Sequence, residues 1–307
     1  MRDAQRLAAL AVCRVLEGRS LQDELRLLLE AAPGLSAQQR AAAQDLAYGT
    51  LRFLGTLRAV LAQLMWSPPR DSRINCLLLV ALYQLHYRRS PAHAVVNEAV
   101  STAVALNPRA PKALVNGVLR NFLRQPYPLL SRAGQSLEGR YSHPAWWVER
   151  LRLEYPAQYA EVLDQGNTRP PMTLRVNRRR TTVQAYMGML AGEEMAAETV
   201  GESALMLAQP VPVEKLPGFA EGLVSVQDLG AQWAAALLAP RNGQRVLDAC
   251  AAPGGKTAHL LETAEVDCIA LDADASRLER VRENLQRLDL RAKLQRGDAG
   301  APDQWWD

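Results

Sequence analysis

The run Val246-Leu247-Asp248-Ala249-Cys250-Ala251-Ala252-Pro253-Gly254-Gly255-Lys256-Thr257 carries the clearest chemical signal in this 307-residue sequence. An apolar stretch enters a loop of small residues, and the loop opens a helix. Gly254 and Gly255 let a ligand come close to the backbone. The helix start that follows offers N–H groups without intrahelical partners and favours negative charge. Asp248 stands at the carboxyl end of the apolar stretch, where open α/β sheets bind ligands. Gly255-Lys256-Thr257 has the look of a phosphate loop. That motif requires a glycine five residues before Gly255, and Cys250 is there instead. The dinucleotide fingerprint GxGxxG is absent too, so nucleotide triphosphatase and nicotinamide or flavin chemistry are both set aside.

Two further carboxylates follow the same rhythm. Asp272 ends the next apolar run, 24 residues after Asp248. A carboxylate there can accept hydrogen bonds from ribose hydroxyls. Asp298 follows a third short run, where it could reach an adenine amino group or nearby polar atoms. Singly, each is equally well read as a strand-end cap or turn former. Together, beside a glycine loop, they point to a nucleoside ligand without a polyphosphate.

The elements that must position these residues are a strand over Arg245–Asp248, read as short and buried, and a helix from Gly255 to Glu262. A second strand over Val266–Asp272, an amphipathic helix over 275–288 and a strand over Ala292–Arg296 complete the pattern. It is the opening half of a doubly wound sheet with right-handed crossovers. Upstream, helical periodicity covers 3–16, 20–31, 71–86, 91–105 and 111–124. Leu114, Val118, Leu119 and Phe122 are expected inward on the last of these. Ser36 and Gln39 resemble a capping box for a helix carrying Leu46, Leu51, Leu54 and Leu57, with a bend or break near Gly49 and Gly55. The stretch 71–86 is too apolar for a surface helix and is expected at the centre of a bundle. Residues 128–143 read as linker or irregular. A short helix is expected after Pro144, using Trp147, Val148, Leu151 and Leu153. Residues 165–240 read as mixed α/β. The expected organisation is an all-helical domain over 1–127, a linker and mixed segment over 128–240, and a Rossmann-like half-domain over 241–307.

Charge is uneven along the chain. Residues 1–127 hold 16 Lys or Arg against 8 Asp or Glu, whereas 128–240 and 241–307 each hold 10 against 12. Nearly all of the N-terminal excess is arginine, which suits phosphates and stacked bases. A soluble basic surface would show the same composition. Four cysteines, Cys13, Cys76, Cys250 and Cys268, match no disulfide framework or CxxC site, and no metal site is expected. No apolar run is long enough to span a membrane, and the first residues lack the layout of a secretion signal. A reduced, cytoplasmic protein is expected.

The string DACAAPGGKT resembles the cofactor loop of the Sun/Fmu-type (NOL1/NOP2-related) RNA cytosine-5 methyltransferases, whose bacterial members have a NusB-like N-terminal domain. The NusB-like resemblance rests on Asp45–Arg52, on Ala81–Leu85, on Asn97–Val100 and on Asn116–Arg120. Ser142-His143-Pro144, Leu174-Arg175-Val176-Asn177 and Val226-Gln227-Asp228 resemble the family's connecting segments. The resemblance covers almost the whole chain. It implies S-adenosyl-L-methionine as methyl donor, held by Cys250, Ala251, Ala252, Pro253, Gly254, Gly255 and Lys256. It also implies Asp272 at the ribose and Asp298 near the adenine; from its place at the strand end, Asp248 is expected, with the loop backbone, to hold the methionine end.

The same resemblance implies 16S rRNA as substrate, with cytosine 967 the modified base. In this chemistry a thiolate attacks C6 of cytosine before C5 takes the methyl group. The family's nucleophile lies after a fourth strand, so residues 1–307 are expected to be a truncated form without a catalytic residue, inactive alone. Cys250 matches the family's loop cysteine and not that nucleophile. RNA contacts are expected at Arg88 and Arg89 in a turn, at Arg120 and Arg124 on one helical face, and at Arg175 and Asn177 nearer the chemistry. Alternatively, Arg52 and Arg120 pair with Asp45 or Glu98. The protein is expected to be a monomer. A competing reading is a non-catalytic RNA-binding protein that uses the helical domain alone.

Overall fold

The structure is a computed structural model describing residues 2–304. The chain divides into two compact units after Thr168. The first unit is all helical: α1 (Arg2–Leu16), α2 (Leu21–Glu30), α3 (Ala37–Arg52), α4 (Leu54–Leu64), α5 (Ser72–His86), α6 (Ala92–Leu106), α7 (Lys112–Arg124), α8 (Pro126–Ala133), α9 (Leu137–Tyr141), α10 (Ala145–Glu154) and α11 (Tyr159–Gly166). Helix α5 lies at its centre, with Ile74, Leu77, Leu78, Leu79 and Leu82 all fully buried. Its surroundings include α1, α3, α6 and α7. The capping box before α3 forms: Gln39 N–H donates to Ser36 Oγ at 3.2 Å and Ser36 N–H to Gln39 Oε1 at 2.9 Å.

The expected break near Gly49 and Gly55 falls at Phe53, between the two glycines. Both glycines also permit close approach. A Cβ on Gly49 would sit 2.0 Å from the Tyr83 ring, and one on Gly55 would sit 2.3 Å from the Glu138 carbonyl oxygen. Two local expectations are corrected. The stretch 128–143 is not irregular, since α8 and α9 cover most of it. Pro126 and Pro128 fall in the first turn of α8, where a missing N–H costs nothing. On α10, Val148 and Leu151 pack beside Tyr141 and Leu163, while Trp147 and Leu153 face outward, as does Leu114 on α7.

The second unit carries two sheets. Strands β1 (Met172–Val176), β2 (Ala197–Thr199), β3 (Ala204–Leu207) and β4 (Val224–Val226) form an antiparallel sheet in the order β2-β3-β1-β4, with α12 (Val183–Gly192) between β1 and β2. Helix α13 (Leu229–Leu238) follows β4. Strands β5 (Arg245–Asp248), β6 (Asp267–Asp272) and β7 (Lys293–Arg296) then form a parallel sheet in chain order, connected by α14 (Gly255–Thr263) and α15 (Ala275–Leu288). Its core holds Ala258, Leu261, Cys268, Ala270, Leu278, Val281 and Leu285. Strand β5 is not buried as expected. It pairs on one side only among the described strands, and Arg245 and Leu247 are exposed.

Candidate cofactor site

The glycine loop lies between β5 and α14, at the carboxyl ends of the parallel strands. Three sets of hydrogen bonds shape it. Ala251 N–H donates to the Leu271 carbonyl at 2.9 Å, tying the loop to β6. Gly254 N–H closes a turn on the Ala251 carbonyl at 2.6 Å. Thr257 Oγ1 donates to Asp248 Oδ2 at 2.7 Å, fastening the end of β5 to the first turn of α14. Gly254 caps α14 at φ +96°, a backbone state that a side chain disfavours. A Cβ there would also stand 3.2 Å from Val281 Cγ1 and 3.3 Å from its Cα. The first N–H groups of α14 therefore face the loop, as an anion-binding helix start requires.

Asp272 is the most buried of the three carboxylates. It is buried, and it accepts from Ala252 N–H at 3.2 Å and from Asp274 N–H at 3.1 Å. Each oxygen thus keeps acceptor capacity for another donor. Arg277, from the first turn of α15, stands 3.8 Å from Asp272 Oδ1 and donates to the Ala252 carbonyl at 3.3 Å. Asp298 is exposed beyond β7, accepting from Gly300 N–H at 2.9 Å. Cys250, Pro253 and Lys256 are exposed, Ala251 and Gly254 buried, and Ala252 and Gly255 intermediate. Cys268, inside β6, is buried. Burial, then the charges of Asp248 and Asp267, push its thiol up to about 11.

Two of the residues expected to meet RNA are interior, and that expectation is corrected. Arg175 on β1 is 1% exposed. Its Nε and Nη2 donate to Glu262 Oε2 and Oε1 at 2.9 and 2.8 Å, and its Nη1 donates to the Gly255 carbonyl at 2.9 Å. Asn177 is also buried, donating to the Gly222 carbonyl at 3.1 Å and accepting from Arg179 N–H at 3.1 Å. Both are structural because β1 is an inner strand whose polar side chains find partners within the unit.

Arg88, Arg89, Arg120 and Arg124 are exposed. Arg88 pairs with Asp45 at 2.6 Å, and Arg120 Nε donates to Asn116 Oδ1 at 2.9 Å. Asp45, one of the acidic residues weighed as an ion-pair partner, pairs with Arg88, which was not anticipated. Sequence reasoning also missed Glu262, Gln227 and Arg277. The usable signal was a lone charged residue between Leu174 and Val176 in a strand otherwise without charge, which requires a buried counter-charge.

A parallel sheet with a glycine loop after one strand and a buried carboxylate after the next defines a Rossmann-like nucleoside-cofactor domain. Comparisons with known proteins make that class specific. The NusB family matches residues 2–124, the RsmF/B-like ferredoxin-like domain matches 143–214, and the family 16S rRNA methyltransferase RsmB/F matches 235–307. The chain is 46% identical over 305 residues to ribosomal RNA small subunit methyltransferase B of Serratia proteamaculans, covering 97% of this chain and 70% of that protein. It is 44% identical to the protein of that name from Salmonella newport, with the same coverage. The crystal structure of PH0851 shares the fold at 21% identity, with a TM-score of 0.77 over 99% of this chain and 71% of that one. The chain belongs to the RsmB/F family of 16S rRNA methyltransferases, and membership implies dependence on S-adenosylmethionine. Among the described residues, no helix is long and apolar enough to cross a membrane, and no group of His, Cys, Asp and Glu is arranged to hold a metal.

Proposed function

We propose that this protein is the 16S rRNA cytosine-5 methyltransferase acting at cytosine 967, in the cytoplasm and as a monomer. The observation that supports the reading best is the buried Asp272 carboxylate one strand over from the glycine loop, sharing a hydrogen bond with Ala252 of that loop. These residues fit a nucleoside donor. Asp272 has spare acceptor capacity for a ribose diol, the α14 start offers N–H groups to an anionic methionine end, and the exposed Asp298 follows the next strand. S-adenosylmethionine, when bound, supplies an electrophilic methyl group. Asp248 orders the loop through Thr257, and the loop backbone sets the depth at which a ligand can rest.

Residues 1–127 would grip RNA through exposed arginines, with the linker and mixed α/β part of the methyltransferase region over 128–240 and the first half of the cofactor domain over 241–307. On this reading none of the four cysteines is the nucleophile, Cys13, Cys76 and Cys268 being buried and Cys250 part of the cofactor loop. Purified 1–307 is then proposed to bind cofactor and RNA without methyl transfer. Bisulfite sequencing of 16S rRNA from cells with and without the gene tests the reading. Loss of the protected cytosine at 967 is expected, and an unchanged pattern contradicts it. Methyl transfer by purified 1–307 would contradict the inactivity.

A further inference from the structure

The buried arginine of β1 touches the cofactor loop, and nothing in the family resemblance assigns it a role there. We propose that Arg175 is a positioning residue that sets the start of α14. The inference rests on the cofactor reading for what the loop binds, though not for how the loop is held.

The guanidinium uses both of its edges. One edge makes the two parallel bonds to Glu262, whose side chain is 5% exposed. Nη1 donates to the Gly255 carbonyl at 2.9 Å and also to Gln227 Oε1. Glu262 leans back along α14, as helical side chains tilt toward the N-terminus, so one group joins the second turn to the first residue. Because Arg donates only, Gln227 must turn its oxygen inward, which leaves its Nε2 buried without a partner. A buried ion pair is weak evidence for stability, since apolar residues of similar volume often serve as well. The fork geometry, by contrast, fixes direction. What Arg175 fixes is Gly255, whose N–H, with those of Lys256 and Thr257, faces the loop. Arg175 thus ties the loop's far end to β1, complementing the ties at Ala251 and Asp248.

A positional role separates from a merely structural one in the double variant Arg175→Met/Glu262→Met. It removes both charges together, so no buried charge is left unpaired and the fold is kept. The readouts, on the full 307-residue chain, are hydrogen exchange by segment and calorimetric binding of S-adenosylhomocysteine. The expected result is faster exchange confined to residues 250–257, with β1 and β3 protected as in the parent. Binding should weaken about tenfold, the scale of one hydrogen bond to a charged group. Exchange at 250–257 equal to the parent's would overturn the proposal, as would acceleration spread evenly through β1, β3 and α14. A parent chain that takes up no S-adenosylhomocysteine would contradict the cofactor reading alone. The exchange pattern would still decide the role of Arg175.

Discussion

Arg277 stands over Asp272, with Nη1 3.8 Å from Oδ1, and the two side chains are 47% and 3% exposed. The arginine is the exposed partner of a carboxylate that a ribose must reach. Such a long, half-exposed pair contributes at most about 1 kcal/mol. Arg277→Ala should therefore leave the melting temperature nearly unchanged, and S-adenosylhomocysteine should bind at least as tightly as to the parent. A tenfold loss in calorimetry would instead make Arg277 a ligand.

Gly254 answers to its backbone and to Val281. At φ +96°, with a Cβ 3.2 Å from Val281 Cγ1, any side chain is strained and crowded. Gly254→Ala should cost about 1–2 kcal/mol from the left-handed backbone alone, and Gly254→Val more. Urea unfolding followed by a probe in the second unit checks this. An unchanged midpoint for Gly254→Val would contradict the described loop.

His259, on α14, gives the second unit a pH dependence. Burial first, and then the charge of Arg175, lower its pKa to about 4 from 6.5. The folded state resists protonation that the unfolded chain accepts below about 6.5. The favourable contribution is therefore present above pH 6.5 and is lost as pH falls toward 4. About 1–2 kcal/mol should be gone by pH 5. Denaturation at pH 7.5 and pH 5 should show a smaller drop in His259→Leu than in the parent. Equal drops would mean that His259 is solvated.

RNA grip can be apportioned among the helical-unit arginines. Arg88 is already engaged by Asp45, and Arg120 and Arg124 share a face of α7. In a salt titration of the full chain with a 16S rRNA fragment, Arg120→Ala/Arg124→Ala should flatten the slope by about one to two phosphate contacts. Arg88→Ala/Arg89→Ala should flatten it less. Identical slopes for all three proteins would remove these arginines from the RNA surface.

Much of this architecture was legible because its signals are local. The capping box at Ser36 and Gln39, the apolar run of α5 and the strand-loop-helix at Asp248–Gly255 each depend on neighbours in sequence. Pairings across the chain were not legible. Arg175 and Glu262 lie 87 positions apart, and an arginine that reads as a cation for RNA was spent on a buried carboxylate. The outward turn of Leu153 and Trp147 was equally hidden, because the short helix α10 lets its neighbours choose the buried face. The exposed β5 edge also ran against its apolar sequence, which suits a strand flanked on both sides.

The claim that this loop and carboxylate hold S-adenosylmethionine is tested most directly by calorimetric titration of S-adenosylmethionine into the full chain and into Asp272→Asn. The substitution keeps the side chain's shape and removes one of the acceptors that a ribose diol would use. Saturable binding to the parent, weakened about tenfold or more in the variant, is the predicted result. Equal affinity for the two proteins, or no binding to the parent, would contradict it.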